Sequence, residues 1–176
     1  AYAISSGLVC SEMCIRDSNK DFWRDKFITD KNVLIPRPDS EHLVEQTLRL
    51  IKKNQGKRIL DVGVGSGCLS ISILKERPFC KFDAIDLSKK ALKLAKINAK
   101  LHQLSDRIKF YKRDVDNFYN DKYDLIISNP PYIKKHQIKY LGAINYEPKI
   151  ALDGGLDGLE AVSYTHLRAH ETRRYL

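Results

Sequence analysis

One stretch limits the folds open to this chain more than any other. Arg58-Ile59-Leu60-Asp61-Val62 is a short apolar run that leads straight into Gly63-Val64-Gly65-Ser66-Gly67, and an apolar segment over 68–76 follows without a break. Cys80-Lys81-Phe82-Asp83-Ala84-Ile85-Asp86 then makes a second β-type run that ends on an acid. Strand, glycine turn, helix and strand in that order predict a βαβ unit with parallel strands. The pattern continues downstream. Ser88 is placed to cap a helix over 89–101, residues 107–111 alternate as a third strand, and the β-branched run over 124–128 reads as a buried fourth. The fold class is α/β, and all four strands point their carboxyl ends at one rim, where open sheets of this kind bind ligands.

The glycine turn says what sort of ligand. A dinucleotide fingerprint needs Gly-x-Gly-x-x-Gly, but here the third glycine comes one residue early, and no Lys-Ser/Thr stands at P-loop spacing. Backbone at Gly63, Val64, Gly65, Ser66 and Gly67 can approach a ligand closely, and the helix amino terminus adds free N–H groups. Asp61 beside those glycines repels a pyrophosphate and suits an ammonium. Asp86, at the end of the next strand, is placed for ribose hydroxyls. An amino-acid end, a ribose and little phosphate describe S-adenosylmethionine. At the third strand's end, Asp114 can accept an adenine amino group and Val115 can pack on the ring. A surface turn acid is a close competing reading for Asp114.

Ser128-Asn129-Pro130-Pro131-Tyr132 follows the fourth strand, and two prolines forbid strand or helix to continue. Asn129 carries an acceptor oxygen and an NH2 donor, and the Pro130 carbonyl is a second acceptor. Together they can grip a planar nitrogen group, an amide or the exocyclic amine of a base, with Tyr132 over its face. On its own, Asn-Pro-Pro is more often a tight turn that ends a strand. The convergence of polar residues at four strand ends favours a site.

The 176 residues suit one domain, or one with an appendage, and a 43% hydrophobic fraction is enough for a core. No run approaches a membrane span and no signal peptide is evident. The net charge of +9 fits an anionic partner, and equally a solvated lysine surface. Cys10, Cys14, Cys68 and Cys80 form no zinc-type pairing or disulfide frame, which points to a reducing, cytoplasmic setting and no metal. Residues 1–18 and 162–176 share no pattern with the rest; both resemble translated sequencing-adapter read-through and are set apart as non-native or disordered tails. Phe22-Trp23-Arg24-Asp25-Lys26-Phe27-Ile28 is predicted to be a strand, with Asn32-Val33-Leu34-Ile35 as its hairpin partner. Asp39 or Ser40 can cap a helix that starts near Glu41, buries Leu43, Val44, Thr47, Leu48, Leu50 and Ile51, and stops near Asn54-Gln55-Gly56. The organisation expected is a hairpin and linker helix over 19–56 and a ligand-binding domain over 57–161.

Taken together, four blocks resemble the HemK/PrmC-type protein-(glutamine-N5) methyltransferases of peptide-chain release factors. They are Val33-Leu34-Ile35-Pro36-Arg37-Pro38-Asp39-Ser40-Glu41, the segment from Asp61 to Gly67, Asn129-Pro130-Pro131-Tyr132, and Tyr146-Glu147-Pro148 with Ala151-Leu152-Asp153-Gly154-Gly155. The resemblance spans nearly all of 19–161. It implies a Rossmann-like class I methyltransferase fold and S-adenosylmethionine as cofactor. The implied reaction is methylation of a glutamine side-chain nitrogen in a class I release factor, with Asn129, Pro130, Pro131 and Tyr132 holding that amide and Asn129 also contacting the cofactor. A DNA or RNA amino-methyltransferase with the same loop is the rival, and an inactive fragment is a further alternative. The resembled family has a helical domain upstream and more strands downstream than this chain. The expectation is therefore a truncated parallel sheet in order 3-2-1-4 whose fourth strand is a bare edge prone to self-association.

Overall fold

The computed structural model describes residues 19–118, 122–140 and 147–159; the tails set apart above lie outside them. The chain forms two compact units, one ending at Asn129 and one starting at Pro130.

The first unit is built on four parallel strands: β3 (Arg58–Val62), β4 (Lys81–Asp86), β5 (Ile108–Lys112) and β6 (Leu125–Ser128). Their order is β5-β4-β3-β6, as predicted. Val62 lies opposite both Ile85 and Ser128, so β3, β4 and β6 end at one level. Helix α2 (Cys68–Glu76) is buried along Cys68–Leu74, because it must be apolar on nearly every side to sit inside the unit. Helix α3 (Lys89–Leu101) buries Ala91, Leu92, Leu94, Ala95, Asn98 and Ala99 and leaves its lysines in water. Ser88 caps it, accepting the Ala91 N–H at 3.2 Å. The core is centred on Ile59, Ile71, Ile73, Leu74 and Phe82. The fourth strand is buried on one side only. Ile127 is buried and Ile126 is 46% exposed, and among the described residues β6 pairs with β3 alone.

The hairpin differs from the sequence expectation. Residues 22–28 are not one strand; β1 (Asn19–Phe22) and β2 (Asp25–Ile28) pair across a turn at Trp23-Arg24. Asn32–Ile35 forms no strand. Trp23 takes a left-handed φ of 57°, a conformation that costs a bulky residue energy and that propensity alone does not suggest. The Glu41 carboxylate compensates by accepting the Trp23 N–H at 2.8 Å. Phe22 and Phe27 then meet edge to face at 6.1 Å in the core.

Helix α1 (Glu41–Leu50) is shorter than predicted. Ile51 leaves it in an extended conformation and is buried, while Leu50 is 70% exposed. The Arg77 guanidinium accounts for the early stop, donating to the carbonyls of Ile51 and Leu48 that the helix end leaves open. Neither Asp39 nor Ser40 caps α1 with its side chain. Ser40 is instead the last residue of a 3-10 turn (Pro38–Ser40) with helical φ and ψ, which turns its hydroxyl away from the helix N–H groups.

The second unit holds the short helix α4 (Lys135–Ile138) and a segment that returns along the proline loop. Ile133 bridges to Asp153, donating to the Leu152 carbonyl at 3.1 Å and accepting the Gly154 N–H at 2.8 Å. A Cβ at Gly154 would lie 2.9 Å from the Pro131 oxygen and from the Tyr132 Cα, so only glycine fits that approach.

Candidate functional site

The glycine turn closes against β4. Gly63 and Val64 both donate to the Ile85 carbonyl, at 2.9 and 3.1 Å, and Gly65 donates to Asp86 Oδ2 at 3.0 Å. Gly63, at φ 78°, is exposed, and a Cβ there would meet nothing, which leaves the backbone open to a ligand. Gly67, at φ 83°, serves packing: its Cβ would press on Ile71 and Ala95 at 3.3 and 3.4 Å. Asn98 of α3, fully buried, holds the turn from behind. Its Nδ2 donates to the Ser66 carbonyl at 2.8 Å and to the Ile28 carbonyl at 2.9 Å, and its Oδ1 accepts the Ile28 N–H at 2.9 Å.

Asp61 is fully buried. Ser70 Oγ donates to its Oδ2, while its Oδ1 has no partner among the described residues. Burial pushes the carboxyl up to about 7, against the Ser70 hydrogen bond and with some help from Asp86. A buried acceptor with nothing to accept from, next to an open glycine backbone, is a group that a cation would satisfy. Asp86 is held by two main-chain donors, Gly65 N–H and Ser88 N–H at 2.8 Å, so its carboxylate is fixed at the end of β4 with lone pairs to spare. An open cleft of about 570 Å³ lies beside it, lined by Leu87, Lys112, Arg113, Asp114 and Asn117. Asp114 Oδ1 accepts the Asp116 N–H at 3.1 Å and opens the turn of Val115–Asn117. Val115 is half-buried and does not line that cleft. Cys68 is buried, and its thiol is pushed up to about 12 by desolvation, so it stays protonated and inert.

At the end of β6, Asn129 is half-buried, and its Nδ2 donates to Ser40 Oγ at 3.0 Å. The other end of the amide, Oδ1, has no partner among the described residues. In the second unit, Pro130 and Pro131 are half-buried and Tyr132 is 64% exposed. The first unit thus brings Asp61, Gly63, Val64, Gly65, Ser66, Gly67, Asp86 and Asn129 to the strand ends of one sheet. Two residues gain a place that the sequence did not suggest. Ser40 looked like a helix cap. Leu87, 50% exposed directly after Asp86, had only its apolar character at a strand end to mark it.

The donor set fits S-adenosylmethionine, the methyl donor implied by this fold: an orphan buried carboxylate for an ammonium, an anchored acid for a ribose, and a cleft with one leucine and an acceptor for a base. Among the described residues no cluster of three His, Cys, Asp or Glu could hold a metal ion, and no helix is long and apolar enough to cross a membrane.

Known proteins agree. The release factor glutamine methyltransferase of Coxiella burnetii is 38% identical over 157 residues, which cover 89% of this chain and 55% of that protein. The protein of the same name from Caulobacter vibrioides is 40% identical over 145 residues, covering 81% of this chain and 50% of its own. The chain spans about half the length of these curated relatives. Among solved structures, the hMettl16 catalytic domain in complex with the MAT2A 3'UTR hairpin 6 superposes with a TM-score of 0.61 over 92% of this chain and 72% of that one, at 17% identity, a likeness of fold. The model of the methyltransferase small domain matches residues 40–146, from Ser40 through the glycine turn and the Asn-Pro-Pro-Tyr loop, and the chain belongs to that family.

Proposed function

We propose that the full-length protein methylates the side-chain amide nitrogen of a glutamine in a peptide-chain release factor. Two relatives that carry this activity in their names, at 38% and 40% identity, support the reading. The observation that carries it is the state of Asn129: one N–H of its Nδ2 goes to Ser40 Oγ at 3.0 Å, and its Oδ1 is left as an open acceptor at the end of the strand. A primary amide is the complementary group, with two N–H donors on one nitrogen.

When bound, the cofactor supplies an electrophilic methyl group on a sulfonium. The remaining work falls to the chain. Asp61 would take the ammonium, the turn from Gly63 to Gly67 would lie along the amino-acid end, Asp86 would take the ribose hydroxyls, and Asp114 would take the adenine amine with Leu87 as its apolar neighbour in the cleft. An amide nitrogen is a poor nucleophile because its lone pair is delocalised. Asn129 Oδ1 accepts one of its N–H bonds and the Pro130 carbonyl, next in the chain, accepts the other. Held so, the amide's lone pair would face the methyl group that the cofactor supplies, and one N–H proton would leave to water after the transfer. Pro131 stiffens the loop and Tyr132 covers the amide face. Orientation of this kind supplies several kcal/mol. Such a substrate places the protein in the cytoplasm.

Tritiated cofactor tests the proposal. Label transferred by the full-length protein to a release factor, and about a hundredfold less by Asn129→Ala, is the expected result. Label on duplex DNA or RNA and none on release factor would establish the nucleic-acid reading instead.

A further inference from the structure

We infer that the outer face of α3 is a docking surface for single-stranded RNA. The net charge of +9 left two readings open, an anionic partner or lysines spread over a solvated surface. Five of the lysines are not spread. Lys89, Lys90, Lys93, Lys96 and Lys100 all lie exposed on this one helix, opposite its buried face of Ala91, Leu94, Ala95 and Asn98. At 1.5 Å per residue, Lys89, Lys93, Lys96 and Lys100 form a single row about 16 Å long. Lys90 stands beside the row.

Within the chain this arrangement is unfavourable on two counts. Like charges three and four places apart on a helix repel. Lys89 and Lys90 also occupy the first turn, at the positive end of the helix dipole, with no acid there. Nothing in the neighbourhood offsets this. No Asp or Glu occurs from Leu87 to Ser105, and among the described residues none of the five lysines has an acidic partner. The acids beside the helix are already engaged. Asp86 accepts from Gly65 and Ser88, and Asp30, in the loop whose Val33 packs on Ala91 and Leu94, accepts from Asn32. Elsewhere the chain does pair its cations: Arg49 of α1 meets Glu45 one turn away at 2.7 Å, and Lys57 meets Asp124 at 2.8 Å. A row of cations whose counter-charges lie outside the chain suits an external polyanion.

Among polyanions, single-stranded RNA fits this face best. A phosphodiester backbone offers regularly spaced charges to a row of lysines, each a compact point charge. Ile97 and Leu101, 43% and 55% exposed, lie beside the same row. A duplex hides its base faces in the stack, whereas a single strand presents them to such side chains. A carboxylate surface is best met by arginine forks, and this face has no arginine. The surface is separate from the proposed methyl transfer: α3 packs on β4 and β5, and Asn129 follows β6 at the other edge of the sheet. RNA bound here docks without being methylated.

Fluorescence anisotropy of a labelled oligouridylate with the full-length protein, without cofactor, tests the surface. Five lysine–phosphate contacts on a single strand give a slope of log affinity against log salt of about −3.5, so affinity should fall about a hundredfold as salt rises about fourfold. Lys93→Gln, Lys96→Gln and Lys100→Gln together should weaken binding and flatten the slope by about 2; Lys96→Gln alone should flatten it by about 0.7. Lys52→Gln with Lys53→Gln, exposed beyond the end of α1, should change neither. Ile97→Ser with Leu101→Ser should weaken binding at an unchanged slope. Relief of like-charge repulsion should raise the thermal midpoint of the triple variant, which separates lost contacts from lost folding. No binding by the wild type at low salt, an unchanged slope in the lysine variants, an equal loss with Lys52 and Lys53, or tighter binding to duplex DNA or to polyglutamate would each overturn the inference. Failure of methyl transfer to a release factor would defeat the proposed reaction and leave this result standing.

Discussion

Asp61→Asn should make the fold relatively more stable as pH rises, even though it removes a group proposed to bind ligand. Asp61 is fully buried, and its carboxyl moves from 3.8 to about 7, chiefly by desolvation, which corresponds to ~4 kcal/mol at about 1.4 kcal/mol per pH unit. The sign is the reverse of a salt-bridged carboxylate. Between the two values the folded chain binds the proton more tightly than the unfolded chain, so this group lowers stability progressively as pH rises from about 4 to about 7, and no further above that. An asparagine carries no such charge. It can still accept the Ser70 hydroxyl bond, but it buries an NH2 where Oδ1 stood, at a cost of about 1–3 kcal/mol that does not vary with pH. The absolute difference between variant and wild type therefore depends on that uncertain cost, whereas its change with pH does not. From about pH 5 to about pH 8, the variant should gain roughly 2–3 kcal/mol on the wild type. Urea unfolding of both chains at several pH values, without cofactor, measures this difference and cancels every other titrating group. A difference that stays flat across that range would show that Asp61 is ionised at no unusual cost, and the account of an orphaned buried carboxylate would fall.

A ligand ammonium beside Oδ1 favours the charged carboxylate, so cofactor affinity should drop by up to about tenfold per pH unit below about 7; calorimetry in buffers of different ionisation heat should register the proton released. Asn98→Ala removes three hydrogen bonds that join Ile28 to Ser66 and should destabilise the first unit by about 2–4 kcal/mol in urea unfolding. Gly154→Ala drives a Cβ to within 2.9 Å of three main-chain atoms; amide exchange at Ile133 and Gly154 should quicken by an amount equivalent to about 1–3 kcal/mol, with no change at β3 or β4.

The sheet was legible because each of its strands is a short apolar run bounded by a strong punctuation mark: glycines after Val62, Asp86 then Ser88 after Ile85, and two prolines after Asn129. The strand order is as expected, and so is the single-residue cap of α3. The amino-terminal part was less legible for a specific reason. Phe22 to Ile28 has the aromatic content of a strand, and nothing local marks the turn inside it. The turn exists because Glu41, 18 positions on, binds the Trp23 N–H and so supports a left-handed tryptophan. Arg77 likewise ends α1 from 26 residues beyond Ile51. A tertiary hydrogen bond of this kind leaves no trace in periodicity.

The site divides along the same line. Asp61, Asp86 and the glycines announce themselves because strand-end acids and positive-φ turns are local properties of the chain. Ser40 does not, and the reason is informative. A serine two residues after a proline and just before a glutamate satisfies every local rule for a helix cap, and a cap would have used its hydroxyl. The 3-10 turn alters the outcome by giving Ser40 helical backbone angles, which withdraws the oxygen from the helix and leaves it to accept from Asn129. The residue type needed for a cap and the one that here hydrogen-bonds a carboxamide are the same, so only the geometry of the turn separates them. Leu87 is the complementary case. An exposed leucine is unremarkable on any surface, and it gains meaning only from its neighbours, with Asp86 before it and Asp114 across the cleft it lines. The local rules thus recover the groups proposed to bind by their own charge or backbone, and miss those whose place depends on holding or facing another group.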